Sequence, residues 1–161
     1  MARITSQPPR SRQPPRGNPS VSAETLRQAL RLMADWPATW QIDDEDDADL
    51  HYGEKLLEEF KSFVMYLVGV EKLSRSTVSR HVDNLFLLGG ELISHINIYE
   101  KDRKLPPTQL LDDNLSEDGG PLCKHVQDGA AQQQFDATCK KLYTFRSART
   151  QRSPNRPNKK S

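Results

Sequence analysis

The residues that could carry out catalysis or bind a metal are few and poorly arranged. The chain has four histidines, which are His51, His81, His95 and His125. None belongs to an HExxH motif, and no two are four residues apart. Cys123, His125 and Cys139 could supply three zinc ligands, but structural zinc usually has four, commonly including a close pair of cysteines that this chain lacks. We therefore expect no metal site, and we expect Cys139, on an apolar helical face, to be a core residue.

Three further kinds of site are equally poorly supported. Cys123 and His125 are formally a nucleophile and a base, but two residues apart in a loop they have no framework to orient them. Gly119-Gly120 is followed by proline, not by the lysine and serine of a phosphate-binding loop. Residues 43–49 hold six acidic residues, but the glycine and the terminal glutamate of an EF-hand are absent at the required offsets, which indicates a solvated linker. The sequence predicts neither an enzyme nor a cofactor.

One segment, residues 73–85, combines hydroxyl and basic side chains in a pattern typical of a helix start. Serine or threonine at such a start satisfies backbone N–H groups that have no helical partner. The same arrangement leaves Arg75, Ser76, Ser79 and Arg80 on the exposed side, where they can donate to phosphates or base edges. The alternative interpretation is a well-capped amphipathic helix with a solvated arginine face.

Two amphipathic helices must position this segment. The first apolar stripe consists of Leu56, Leu57, Phe60, Phe63, Val64, Leu67 and Val68, and the second of Val78, Val82, Leu85, Gly89, Leu92 and Ile96. Their helical spacing predicts an αα-hairpin that buries both stripes, with Gly69 ending the first helix as a residue tolerant of positive φ. Gly89 costs about 1 kcal/mol of helix stability relative to alanine. The presence of glycine at this position would be explained if another backbone segment packs closely against it, or if the helix is kinked at Gly89-Gly90.

The rest of the chain adds two helices and several polar segments. A helix over residues 22–36 is predicted to begin at Ser22, as N-cap, and to be stopped by Pro37. Its apolar positions are Leu26, Ala29, Leu30 and Met33. Residues 101–129 are turn-rich and predict a loop. A last helix over 130–146 presents one apolar face, made of Phe135, Cys139, Leu142 and Tyr143. The predicted fold class is all-α, with three to four helices around a long αα-hairpin, long polar loops and disordered basic tails.

Charge is strongly segregated, although the net charge is only +1. Residues 1–20 hold four arginines, residues 146–161 hold six basic residues, and neither segment has an acidic one. All 22 acidic residues therefore lie in between. The two ends contain most of the prolines but no aromatic residue, so they cannot offset ordering entropy by apolar burial. Such tails attract a polyanion by neutralising phosphates, or they simply keep the chain soluble.

Composition narrows the class of protein further. Of 161 residues, 35% are hydrophobic and 28% are charged, and no apolar run approaches the roughly 20 residues of a spanning helix. Residues 1–20 lack the apolar stretch of a secretory signal, and two cysteines cannot build a disulfide framework. We expect a cytoplasmic protein. Its predicted parts are a tail (1–20), a helix and acidic linker (21–50), the hairpin (51–100), a polar loop (101–129), a helix (130–146) and a tail (147–161).

Two short motifs lie in order within residues 53–98. They are Phe63-Val-Met-Tyr66-Leu67 and Leu73-Ser74-Arg-Ser-Thr77-Val78, followed by the stripe through Ile96. In this order they resemble the N-terminal core-binding, or SAM-like, domain of phage integrases and other tyrosine recombinases. Residues 74–85 are also similar to the recognition helix of a helix-turn-helix regulator, but that motif has a turn of only three or four residues.

The resemblance to the core-binding domain implies a helical clamp over DNA whose threonine-led helix contacts the backbone. The residues that it implicates are Ser74, Arg75, Ser76, Thr77, Ser79, Arg80 and Asn84. The catalytic His-x-x-Arg element of the family is missing, because no histidine is followed by arginine three positions later. We therefore expect a non-catalytic protein that binds duplex DNA weakly through the 74–84 helix start and the basic tails, with a full-length recombinase as a further partner. The alternatives are a helical protein–protein interaction or recombinase accessory protein that binds no nucleic acid and, third, a helix-turn-helix regulator.

Overall fold

The computed structural model describes residues 19–42, 47–124, 126 and 128–151. They form the helices α1 (Pro19–Met33), α2 (Trp36–Trp40), α3 (Ala48–Gly69), α4 (Arg75–Ile98), α5 (Pro107–Asn114) and α6 (Gly129–Gln151), with a 3-10 helix (Glu100–Lys104) after α4. The all-α fold class is confirmed for these residues, and none of their helices is long and apolar enough to cross a membrane. The predictions for residues 1–18, for the linker residues 43–46 and for residues 152–161 lie outside the described residues.

The predicted αα-hairpin is formed by α3 and α4. Every residue of the two predicted stripes is buried, because the two helices turn them toward each other and toward a common core. The apolar face of α6 joins this core through Phe135, Cys139 and Leu142, so Cys139 is a core residue as expected. From α1, Ala29 and Met33 complete it. The hairpin is therefore held between α1 and α6 rather than standing free.

A tryptophan ring accounts for the glycine on the α4 stripe. The indole of Trp40, from the short helix α2, lies directly against Gly89, where an added Cβ atom would be 2.6 Å from the ring atom Cε2. The indole Nε1 donates a hydrogen bond to the backbone oxygen of Phe86 at 3.0 Å, and the ring meets Phe60 edge-on. The close approach expected at Gly89 is present, but its partner is an aromatic ring rather than another backbone, and α4 continues through it unbroken.

The structure corrects the predicted ends of the first helix. Helix α1 begins at Pro19, so Ser22 lies inside the helix and is not its N-cap. The helix ends at Met33, three residues before the predicted end. Pro37 lies in the first turn of a separate helix, α2, where the missing N–H of proline has no helical partner to lose. One predicted helix is therefore two, with the proline starting the second.

The boundaries of α3 also differ from the prediction. The helix begins at Ala48, before Gly53, so it takes in Asp49, the last acidic residue of the predicted linker. Gly69 is the last helical residue, and the only non-glycine residue with positive φ among those described is Lys72, at 53°. The reversal between α3 and α4 thus depends on the connection that follows Gly69, not on the glycine itself.

Residues 101–129 are not one continuous loop, as the sequence predicted. They contain most of the 3-10 helix and all of α5, which buries Leu110 and Leu111 in the core. Pro106 and Pro107 predicted a turn, but a proline at the first turn of a helix is favourable because its φ is already helical. At the far end, α6 continues to Gln151, five residues beyond the predicted limit of 146.

A buried polar network joins the beginning of α3 to the end of α4. The Asp49 carboxylate, only 1% exposed, accepts hydrogen bonds from Asn97 Nδ2 at 3.1 and 3.2 Å and from the backbone N–H of Ile42 at 3.2 Å. The Arg103 guanidinium lies 3.5 Å from the same carboxylate and also donates to Asn97 Oδ1. Because a buried charge is tolerated only when it is paired and hydrogen-bonded, these residues fix the end of the hairpin that lies away from residue 74.

Candidate functional site

The hydroxyl and basic residues implicated by the sequence lie at the start of α4, and we call residues 74–80 the α4 start. Ser74 is the N-cap, and its Oγ accepts a hydrogen bond from the backbone N–H of Thr77 at 3.3 Å. The same Oγ lies 2.9 Å from Thr77 Oγ1 and 3.3 Å from Ser76 Oγ. Just before it, the N–H of Leu73 donates to the backbone oxygen of Leu67 at 3.1 Å, which fastens the connection to α3.

Two arginines project from the α4 start into solvent. Arg75 and Arg80 are exposed, and within the described part of the chain neither forms an ion pair with a carboxylate. Ser76 and Ser79 are exposed beside them. The N-terminal end of a helix also favours negative charge, because its first N–H groups point outward and the helix dipole is positive there. The α4 start therefore offers an anion the positive charge of two arginines and the hydrogen-bond donors of side chains and backbone.

Two other arginines of the fold, Arg103 and Arg146, form ion pairs between elements. Arg146, counted in the basic tail from the sequence, belongs to α6 and forms ion pairs with Glu59 and, at 3.0 Å, with Asp112. Arg103 pairs with the buried Asp49. These guanidinium groups hold helices together, so they are unavailable to an anionic partner, in contrast to those of the α4 start.

Asn84 does not belong with the other implicated residues. Its amide Nδ2 donates to Thr138 Oγ1 at 2.8 Å and to the backbone oxygen of Gln134 at 3.2 Å, both on α6. This half-buried side chain therefore fastens α6 to α4. Thr77 is also only partly accessible, because its hydroxyl is bonded to that of Ser74. The other five implicated residues are exposed at the α4 start, whereas these two make mainly structural contacts.

His81 lies at the junction between the α4 start and α6. Its Nδ1 is 2.8 Å from Thr138 Oγ1, on the same hydroxyl that Asn84 reaches. Burial, followed by the charges of Lys141 and Arg80, lowers the pKa of His81 below its usual 6.5, although Glu71 opposes this. The contact between His81 and Thr138 joins α4 to α6 at this point, next to Arg80 in α4 and three residues before Lys141 in α6. Sequence reasoning missed Lys141 because no local pattern connects positions 61 residues apart.

The two cysteines lie in the core. Cys123 and Cys139 are both buried, and they are not joined by a disulfide bond. Burial, together with the charges of Asp136 and Cys123, raises the pKa of the Cys139 thiol, which disfavours the thiolate needed by a nucleophile or a metal ligand. Among the residues that the structure describes, no three His, Cys, Asp or Glu side chains are grouped as a metal site. His125, the third zinc ligand considered from the sequence, lies outside the described residues.

The turn between the hairpin helices bears on the two family resemblances. Helix α3 has 22 residues, and five residues (70–74) separate its end from Arg75. This is longer than the turn of a helix-turn-helix motif, which has three or four. Comparisons with protein-family models, with curated proteins and with solved structures find no match to this chain. The resemblance to the core-binding domain therefore stays a prediction based on the motifs of residues 63–78.

Proposed function

We propose that this chain is a non-catalytic DNA-binding protein, similar to an integrase core-binding domain, that holds duplex DNA weakly by its phosphate backbone. The α4 start provides the contacts from the folded part of the chain. The basic segments 1–18 and 152–161 add charge that is attractive to any polyanion. In this proposal the protein acts in the cytoplasm beside a full-length recombinase, which supplies the strand-transfer chemistry that these residues lack.

One observation carries the proposal. Arg75 and Arg80 are exposed and without carboxylate partners in the described part of a chain that has 22 acidic residues. Arg103 and Arg146, in contrast, each form an ion pair with a carboxylate. Two guanidinium groups left in solvent beside the N–H groups of a helix start are therefore suited to phosphate, which guanidinium binds with two parallel hydrogen bonds.

The test is the salt dependence of duplex binding. A fluorescently labelled duplex is titrated with the full chain, and the dissociation constant is followed from 50 to 200 mM salt by anisotropy. In Arg75→Gln/Arg80→Gln, two phosphate contacts are lost, so the slope of log K against log salt should become shallower by about 2. At about 0.1 M salt each lost contact should weaken binding by about eightfold.

A matched control removes two positive charges from the 3-10 helix that follows the far end of α4. Lys101→Gln/Lys104→Gln alters exposed residues of the 3-10 helix, about 35 Å from the α4 start at 1.5 Å per residue along α4. This variant should keep the wild-type slope apart from the small effect of net charge. Equal losses in the two variants would mean that binding follows net charge alone, and an unchanged slope in the arginine variant would refute the role of the α4 start.

A second candidate function is protein–protein interaction without nucleic acid, and it has one observation in its favour. Ile98, Tyr99 and Leu122 are exposed large apolar residues, and all three line one cavity of about 200 Å³ beyond the end of α4. Exposed apolar residues that cluster are typical of contact surfaces. If the wild-type chain fails to bind any duplex at 50 mM salt, this candidate replaces the first.

A further inference from the structure

A groove runs between the end of α3 and the outer face of α6, and we call it the α6 groove. Its volume is about 410 Å³, within the range of small-ligand and recognition sites. One wall is formed by Tyr66 of α3 and by Glu71 of the connection that leads to the α4 start. The floor consists of small residues of α6, namely Ala137, Thr144 and Ala148. Small side chains at this helical spacing leave room for a ligand to lie along the helix.

Three cations and one carboxylate line this groove. Lys141 Nζ lies 2.6 Å from Glu71 Oε2, so this pair cancels within the groove. Burial opposes the ionisation of Glu71, but hydrogen bonds from Lys141 and Tyr66 lower its pKa overall. Lys140 and Arg149 remain exposed, and within the described residues neither pairs with a carboxylate. The α6 groove therefore carries an excess of positive charge on a body that is otherwise rich in acidic residues.

Arg149 is held in a defined place at the end of the groove. Its guanidinium carbon lies 5.3 Å from the centre of the Phe145 ring, a cation–π contact that positions the group without neutralising it. Phe145 is itself fixed by the rings of Tyr66 and Phe63, whose centroids lie 4.9 and 5.5 Å away. Lys140 and Arg149 are nine positions apart on α6, which is about 13.5 Å along the helix axis.

The α6 groove is continuous with the α4 start. Glu71 lines the groove, and three residues later in the same connection Ser74 caps α4. On the other side of the junction, His81 follows Arg80 in α4 and contacts Thr138 of α6, three residues before Lys141 of the groove. The α6 groove and the α4 start are therefore joined through the connection that contains Glu71 and Ser74.

We propose that the α6 groove is a second phosphate-binding surface, on which Lys140 and Arg149 hold the backbone of the same DNA duplex that the α4 start contacts. This inference rests on the proposed function and extends it, because it makes the site a clamp of two helices rather than a single helix start. It also gives α6 a role beyond packing, since this helix carries the second set of phosphate donors.

The experiment compares three double variants with the wild type in the duplex titration described above. Lys140→Gln/Arg149→Gln should make the salt slope shallower by about 2 and weaken binding by about sixtyfold at about 0.1 M salt. Lys101→Gln/Lys104→Gln serves again as the control of equal charge. Lys140→Arg/Arg149→Lys keeps both charges and should retain the wild-type slope. Thermal unfolding of each variant should match the wild type, because the substituted side chains are exposed.

The outcomes separate the two proposals. If Arg75→Gln/Arg80→Gln lowers the slope but Lys140→Gln/Arg149→Gln behaves like the control, the α6 groove has no role and the proposed function stands. If the wild type binds no duplex, both proposals are overturned. If the charge-retaining variant loses as much slope as the glutamine variant, the effect comes from structure rather than from phosphate contacts, and the inference about the groove is wrong.

Discussion

The contact between Trp40 and Gly89 allows a sharp test of how α2 is fastened to the hairpin. Gly89 and Gly90 are adjacent in α4, and they differ in the atoms that an added methyl group would contact. At Gly89 an added Cβ would be 2.6 Å from the indole Cε2 and closer still to Cζ2 and Cη2. At Gly90 the nearest indole atom, Cδ1, would be 3.6 Å away, which is ordinary contact. The pair Gly89→Ala and Gly90→Ala therefore isolates the steric effect from the gain in helix propensity.

The expected magnitudes have opposite signs. In a helix interior, alanine is more favourable than glycine by about 1 kcal/mol, so Gly90→Ala should raise the free energy of unfolding by up to about 1 kcal/mol. In Gly89→Ala the indole of Trp40 must move. It is almost fully buried and bonded to Phe86, so overpacking costs about 1–3 kcal/mol and the strained hydrogen bond about 1 kcal/mol more. After the propensity gain, Gly89→Ala should lower the free energy of unfolding by about 1–3 kcal/mol.

The assay is urea unfolding followed by far-ultraviolet circular dichroism, with the slope against urea compared between variants. A double-mutant cycle provides the control. In a Trp40→Leu background the ring is gone, so Gly89→Ala should cost little or become favourable. If Gly89→Ala is as stable as Gly90→Ala in the wild-type background, the described packing of Trp40 against α4 is wrong. The same conclusion follows if the cost of Gly89→Ala persists without the ring.

Two further predictions concern buried polar groups. Asn97→Ala leaves the Asp49 carboxylate buried with two hydrogen bonds fewer, and it should lower the free energy of unfolding by about 3 kcal/mol in urea titrations; a loss under 1 kcal/mol would contradict the network. Because the pKa of His81 is lowered in the folded state, the unfolded chain takes up its proton first. The stability from this group is complete above pH 6.5 and is lost as pH falls from there to the folded pKa. His81→Gln should flatten this part of the stability profile, and identical profiles for variant and wild type would contradict the assigned burial.

The hairpin could be predicted because its signal is local. The apolar residues of α3 and α4 recur at helical spacing, and every predicted stripe position is buried. Gly89 indicated a close approach, but nothing in the sequence could name Trp40 as the partner, since α2 has only five residues and no periodicity of its own. Likewise Pro106-Pro107 is compatible with a turn and with a helix start, and only the burial of Leu110 in the core decides between them.

The site was predictable only where its residues are close in sequence. The α4 start lies within seven residues, and its exposed arginines and serines are arranged as the pattern indicated. Asn84 fits the same local pattern, but its amide is taken by Thr138, 54 positions away. The sequence likewise placed Arg146 among the basic residues of the tail, because its partner Glu59 is 87 positions away and no local pattern indicates the pairing. Charge alone could not show which cations are free, since pairing depends on the docking of α6.

Both tryptophans of the chain lie in α2, and this gives the protein an unusual optical property. Trp36 and Trp40 are buried, with ring centroids 5.6 Å apart, between α3 and α4. Tryptophan emission therefore arises entirely from this helix of five residues. A ligand that lifts α2 away should shift the emission to longer wavelength while the long helices stay intact, whereas one seated on α6 should leave the spectrum unchanged. Two indoles thus report on a single local event, without any label.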